Sequence, residues 1–218
     1  MKGATMMLPN AEPWTPAGLL QWAAGQYSPN VAIASSFGAE DVVLIDLAAR
    51  VAPSIRIFTL DTHVLFPETY ALIERVESHY DIRVERTETS PAATDGLWAT
   101  DPDRCCQLRK VEPLRQKLAT LQAWITGIRR DQSPARAHSR KLEWDAKFGL
   151  VKVNPLANWT SQQVWQYIHD HDVPYNPLHD RNYPSIGCTH CTRAVLPGED
   201  ARAGRWSGLA KTECGLHA

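Results

Sequence analysis

The chain has 218 residues, 44% of them hydrophobic and 22% charged, with a formal net charge of −1. That is enough chain for one α/β domain with a full core, and the composition is ordinary for a soluble globular protein. The charge balance speaks against a surface that coats nucleic acid. No stretch has the apolar length of a membrane span, and Met1 to Trp14 lacks the apolar run of a secretion signal. The expected location is the cytoplasm, where disulfides rarely persist, so the five cysteines are read first as ligands or chemistry.

Thr15-Pro16 marks a helix start, proline being at home in a first turn, and Leu19, Leu20 and Trp22 are expected to face the body. Residues 31–35 form a short apolar run, the first expected strand, which breaks at Ser36-Phe37-Gly38. A helix is expected over 40–50, a strand over 55–60, a helix over 68–80 and a strand over 82–85. Residues 102–118 read as one helix capped by Asp101. Strands are expected over 123–127 and 150–153, and a last helix over 161–170. Strands alternating with helices imply an α/β fold, a parallel twisted sheet with helices on both faces. Beyond about Tyr175 the pattern dissolves into Pro, Gly and Arg. The expected division is an α/β domain over 1–175 and an irregular C-terminal extension over 176–218 that ends in a mobile tail.

Ligands of such sheets bind at the carboxyl ends of strands, beside the point where strand order reverses. Three turns therefore matter. Ser-Ser-Phe-Gly-Ala-Glu-Asp at 35–41 is a small hydroxyl-bearing turn that can offer N–H groups and a helix dipole to an anion. It lacks the Gly-Lys-Ser/Thr signature of a P-loop, and alone it reads more readily as an ordinary strand–helix turn. Leu60-Asp61-Thr62-His63 ends the second strand, and Asp61 or Thr62 also suits a cap. Gly127-Ile-Arg129-Arg130-Asp-Gln-Ser-Pro-Ala-Arg136 places three arginines beyond a strand, which suits two-pronged binding of phosphate or sulfate oxygens as well as a solvated basic loop.

Cys188-Thr-His-Cys191 has the spacing of a metal knuckle, but Cys105-Cys106 does not complete a single tetrahedral site easily. Adjacent helical residues point about 100° apart, so their sulfurs suit different metal atoms better than one. The spacing favours a [4Fe–4S] cluster, with one thiolate per iron, over zinc. Lys110, four residues after Cys106, falls on nearly the same helix face, where it can bridge a negative cluster and an anionic substrate or simply meet solvent. Cys214 lies near the chain end in Glu213-Cys-Gly-Leu-His217, as a thiol that can reach a substrate and then present itself to another protein. Arg202 and Arg205 precede it.

Taken together, these stretches resemble the assimilatory sulfonucleotide reductases, in particular the cluster-containing adenosine 5'-phosphosulfate (APS) reductases. The resemblance spans nearly the whole chain after residue 30. The related 3'-phosphoadenosine 5'-phosphosulfate (PAPS) reductases share the Glu-Cys-Gly-Leu-His tail but lack the four cluster cysteines. The resemblance implies an adenine nucleotide α-hydrolase-like fold whose first 175 residues bind nucleotide. Ser35, Phe37, Leu60 and Gly127 would line the adenosine pocket, and Lys110, Arg136, Arg202 and Arg205 would hold the phosphosulfate. Cys105, Cys106, Cys188 and Cys191 would carry a [4Fe–4S] cluster, and Cys214 would be the nucleophile. Thioredoxin or glutaredoxin would be the reductant, and association into a homo-oligomer is left open. The chain departs from the family pattern at His63, where glycine is usual, and in the one-residue-shorter spacing before Arg136. A PAPS or dual-substrate reductase is the alternative, since Arg129 and Arg130 are spare cations for a 3'-phosphate. An ATP-dependent adenylating enzyme fits less well, because the Ser-Gly-Gly-x-Asp-Ser loop is absent. A non-enzymatic zinc or iron–sulfur binding module is a further alternative, and a brown protein absorbing in the visible would exclude zinc alone.

Overall fold

The computed structural model describes residues 8–88, 96–208, 211 and 213–217. Helix α1 (Pro16–Tyr27) starts as expected: the Thr15 side chain accepts a hydrogen bond from the Gly18 N–H, and proline occupies the first turn. Leu19 and Leu20 are fully buried and Trp22 packs against the core from its edge. Then follow β1 (Val31–Ala34), α2 (Ala39–Val51), β2 (Arg56–Asp61), α3 (Pro67–Tyr80) and β3 (Val84–Glu88). After the short α4 (Leu97–Thr100) come α5 (Pro102–Cys106) and α6 (Glu112–Leu118), joined without a break by a π-helical turn, Gln107–Val111. The Asp101 carboxylate accepts the Arg104 N–H and caps α5. The chain continues through β4 (Ala123–Ile125), β5 (Leu142–Asp145), β6 (Leu150–Val153) and α7 (Ser161–Asp170). Thr160 and Gln163 close a reciprocal capping box at the start of α7.

The six strands lie in the order β3-β2-β1-β4-β6-β5. All pairs are parallel except β5 with β6, an antiparallel edge hairpin that turns through Gly149 at φ 74. Sequence periodicity placed only five strands. It missed β5, where Leu142-Glu-Trp-Asp is too short and too polar to stand out, and Trp144 is left largely exposed. Strand β3 also starts two residues later than expected and runs on to Glu88.

The larger core cluster joins α1, α2, α3 and α7 to one face of the sheet, with Ile33, Leu44, Ile45, Ile73 and Ile125 fully buried. A smaller one packs Leu114 and Leu118 of α6 against Ala32, Phe58 and Trp124 on the opposite face. Strand order reverses between β1 and β4. That point brings the turns after β1, β2 and β4 to one rim, where a cleft of the doubly wound type opens. Among the described residues, no helix is long and apolar enough to cross a membrane.

Candidate active site

The turn after β1 is held from within. The Ser35 hydroxyl accepts the Phe37 N–H at 3.1 Å, while the Ser36 N–H and hydroxyl both donate to Asp41 Oδ2, at 2.6 and 2.8 Å. Phe37 sits in the left-handed region at φ 59, and its ring is buried in the large core cluster. Its side chain therefore shapes the turn from behind and is not part of the cleft wall, which corrects the expectation that it lines the pocket. Gly38 caps α2 without a side-chain hydrogen bond, so the helix start faces the cleft with its own N–H groups.

Gly127 follows β4 at closest approach to this turn. A Cβ there would stand 2.4 Å from Asp41 Oδ1 and 2.9 Å from Glu40 Cβ. Burial pushes the Asp41 carboxyl up to about 6, although the two hydrogen bonds from Ser36 work against it. In the turn after β2, the Asp61 carboxylate accepts the His63 N–H and the Tyr70 hydroxyl, both at 2.8 Å. His63 adopts φ 57, which accounts for glycine being the simpler residue at that place.

The four expected ligand cysteines meet around one small void of about 10 Å³, lined also by Arg109 and Lys110. All five cysteines are free thiols. Two elements deliver them: α5 brings Cys105 and Cys106, and a loop brings Cys188 and Cys191. That loop is stapled to the turn after β2 by Thr189 N–H donating to the Val64 carbonyl at 2.9 Å and by the Leu65–Cys188 bridge. The Thr62 hydroxyl lies 3.4 Å from Cys188 Sγ, and Arg109 donates to the Thr62 carbonyl. Trp98 stacks on His190 at 4.5 Å, beside the void. Among the described residues, no three Cys, His, Asp or Glu side chains form a group that could hold a metal ion. The four thiols around that one void are the residues that could hold a metal or a cluster.

Burial pushes the Cys105, Cys106 and Cys191 thiols up. Cys188 goes the other way: burial raises it, but Lys110, Thr62 and Arg205 together outweigh that and hold it below its ordinary value. For Lys110, burial works against the charge, and the facing Cys188 and Cys214 more than restore it. Lys110 lines both the cysteine void and the large cleft, so one ammonium serves two sites.

The cleft has a volume of about 560 Å³, and Ser35, Leu60, Gly127, Lys110, Arg136, Arg202, Arg205 and Cys214 all line it. Arg205 is fixed by Ser185 Oγ at 3.1 Å and by the Trp206 ring, with its guanidinium 4.5 Å from the ring centre. It can take this place because Gly187 leaves room: a Cβ there would come within 2.4 Å of Arg205 Nη2. The Nε atoms of Arg136 and Arg205 are buried donors without a partner. Arg136, despite the shorter spacing, reaches the cleft, where Nη1 donates to Gln132 Oε1 at 2.6 Å.

Arg129 and Arg130 behave differently. Arg129 lines the cleft but is held by Glu40 at 2.8 Å and by Asp131, and Arg130 turns away from the cleft to Glu12 at 2.6 Å. Sequence reasoning also missed Thr62 and Arg109 at the cysteines and Glu213 in the cleft. Only the adjacency of Arg109 to Lys110 and of Glu213 to Cys214 hinted at them.

An open α/β sheet with a cationic cleft at its switch point, a thiol in that cleft and a four-cysteine void beside it defines an enzyme of anionic nucleotides. The model of the phosphoadenosine phosphosulfate reductase domain matches residues 30–194, and the chain belongs to that family. It is 49% identical over 208 residues to the adenosine 5'-phosphosulfate reductase of Shouchella clausii, covering 92% of this chain and 86% of that one. It is 46% identical over 224 residues to adenosine 5'-phosphosulfate reductase 1 of Bacillus subtilis, covering 98% and 95%. Among solved structures, the phosphoadenylyl-sulfate (PAPS) reductase of Candida auris in its phosphate complex superposes with a TM-score of 0.74 at 31% identity, over 83% of this chain and 91% of that one.

Proposed function

We propose that the chain reduces adenosine 5'-phosphosulfate to sulfite and AMP in sulfate assimilation, with Cys214 as nucleophile and thioredoxin or glutaredoxin as reductant. The observation that carries this reading is the meeting of Lys110, Arg136, Arg202, Arg205 and Cys214 in one cleft, with Lys110 shared by the cysteine void. The relatives from Shouchella clausii and Bacillus subtilis, both adenosine 5'-phosphosulfate reductases, agree with it. Residues 1–175 act as the nucleotide domain and 176–218 as the extension that brings the CxxC pair and the nucleophile.

Ser35, Leu60 and Gly127 flank the adenosine, and the cations receive the phosphosulfate. The Cys214 thiolate attacks the sulfuryl sulfur, the sulfur–oxygen bond to the phosphate breaks, and AMP leaves with that electron pair. Thiolate and substrate are both anions, so the cations must offset their repulsion as the bond forms. A thiolate of the reductant then attacks Cys214 Sγ and sulfite departs with the bonding pair. The reductant's second thiol closes its own disulfide and returns Cys214. The donor set fits a [4Fe–4S] cluster held by Cys105, Cys106, Cys188 and Cys191, and what it supplies when bound is a negative field that positions Lys110. AMP is a good leaving group, so the transfer itself calls for no metal-borne electron.

The alternative substrate, PAPS, needs additional cations for its 3'-phosphate. Arg129 and Arg130 were the spare candidates; Arg130 leaves the cleft for Glu12, which supports APS, while Arg129 stays on the cleft wall as the one cation of the two that a 3'-phosphate would meet. Sulfite release measured with thioredoxin and each nucleotide tests this: kcat/KM is expected to be higher for APS by about 100-fold or more, as for a missing charge contact. A preference for PAPS would reverse the assignment.

A further inference from the structure

Arg136 and Arg202 are both engaged by one carboxylate. Glu213 Oε2 stands 3.0 Å from Arg136 Nη2 and 3.2 Å from Arg202 Nη2, and Ser133 Oγ lies 3.5 Å from Oε1. The contact is well shielded, with the Glu213 side chain 18% exposed and the two arginines 13% and 21%, so solvent screens it little. These arginines are half of the cation set assigned above to the phosphosulfate, and Glu213 directly precedes the nucleophile. The rest of the tail is seated as well. Lys147 Nζ donates to the Gly215 carbonyl at 2.5 Å, Leu216 packs on the smaller core cluster, and His217 stacks on Trp124 at 5.4 Å. Yet the carboxylate does not saturate its site, because Arg136 Nε remains a buried donor without a partner. A phosphate or sulfuryl group, with three free oxygens, offers acceptors that one carboxylate lacks.

We propose that Glu213 determines what the cleft admits: its carboxylate occupies the anion position in the empty cleft, and a ligand must bring an anionic group to displace it. The proposal rests on the reading of the cleft as a nucleotide phosphosulfate site and says how that site selects. A ligand shifts a two-state equilibrium only through its different affinity for the two states. Adenosine carries no anion, so it gains nothing from displacing Glu213. AMP and its sulfuryl derivative gain two guanidinium partners. Because Glu213 and Cys214 are neighbours in the chain, anion arrival also releases Cys214 from the contact on its N-terminal side, while Gly215, Leu216 and His217 stay seated beside the cleft.

The test uses anaerobically purified holoenzyme, wild type and Glu213→Gln. Adenosine and AMP affinities are measured by calorimetry, and alkylation of Cys214 by iodoacetamide is followed by mass. The expected result is AMP binding tightened about tenfold in the variant with adenosine within about twofold, the size of a lost partly buried charge competitor. In the wild type, AMP speeds Cys214 alkylation and adenosine does not. In the variant, alkylation is fast without ligand. Weaker AMP binding in the variant, or equal shifts for AMP and adenosine, overturns the proposal. Failure of adenosine to bind either protein counts against the nucleotide reading instead. Inorganic sulfate then still reads the contact: it must speed wild-type alkylation if Glu213 is displaceable, and no change overturns the idea.

Discussion

Gly127→Ala is the smallest change that probes the switch-point cleft. The added Cβ would lie 2.4 Å from Asp41 Oδ1, where ordinary contact begins at 3.4 Å, so the turn after β4 and the start of α2 must part by about 1 Å. Asp41 cannot swing aside freely, because its other oxygen takes two hydrogen bonds from Ser36. Glu40, whose Cβ would be 2.9 Å away, is tied to Arg129 at 2.8 Å. Overpacking against neighbours fixed in this way costs about 1–3 kcal/mol. Since the strain falls on two of the three turns that line the cleft, most of it should appear in nucleotide affinity. About tenfold in KM for each 1.4 kcal/mol is the corresponding scale, with kcat less affected. The assay is steady-state sulfite release against APS concentration, paired with thermal unfolding. Gly25→Ala in α1 is the control: nothing lies within 4 Å of its Cβ position, and the change should stabilise by about 0.4–1 kcal/mol without altering KM. An unchanged KM and unfolding temperature for Gly127→Ala would refute the packing argument.

Two further outcomes follow from the same site. The Asp41 carboxyl, raised to about 6 mainly by burial, keeps its proton in the folded chain where the unfolded chain, near 3.8, has released it. Native stability therefore falls as pH rises through that interval and stays reduced above it. Asp41→Asn, whose side-chain oxygen still accepts from Ser36, should gain on the wild type in thermal scans between pH 4.5 and 7.5, and an equal difference at both pH values would refute this. Lys110→Ala should lower kcat/KM by about 100-fold, as for loss of one charge-stabilising donor, while cysteine content and fold persist. A loss under threefold would remove Lys110 from the cation set.

The cysteine pattern, the helix caps at Thr15 and Asp101 and the buried runs of β1 and β4 were legible because each is a local signal of a few residues. Lys110 was also readable from helical spacing, although a π turn carries it where a regular helix was expected. Other features depend on partners far apart in the chain. Arg130 looked like a ligand arginine until the fold supplied Glu12, 118 residues away, and Arg129, still on the cleft wall, meets Glu40, 89 residues away. Phe37 sits in a motif that faces the ligand, but its positive φ turns the ring into the core. Glu213 drew no attention because its role appears only when the tail lies across Arg136 and Arg202.

The central claim is that Cys214 takes the sulfuryl group, and intact-mass measurement after mixing anaerobic enzyme with APS tests it most directly. The wild type should gain the mass of one sulfuryl group and lose it when reduced thioredoxin is added, whereas Cys214→Ser should gain nothing while keeping its visible absorbance. An adduct on the serine variant, or none on the wild type, would contradict the account.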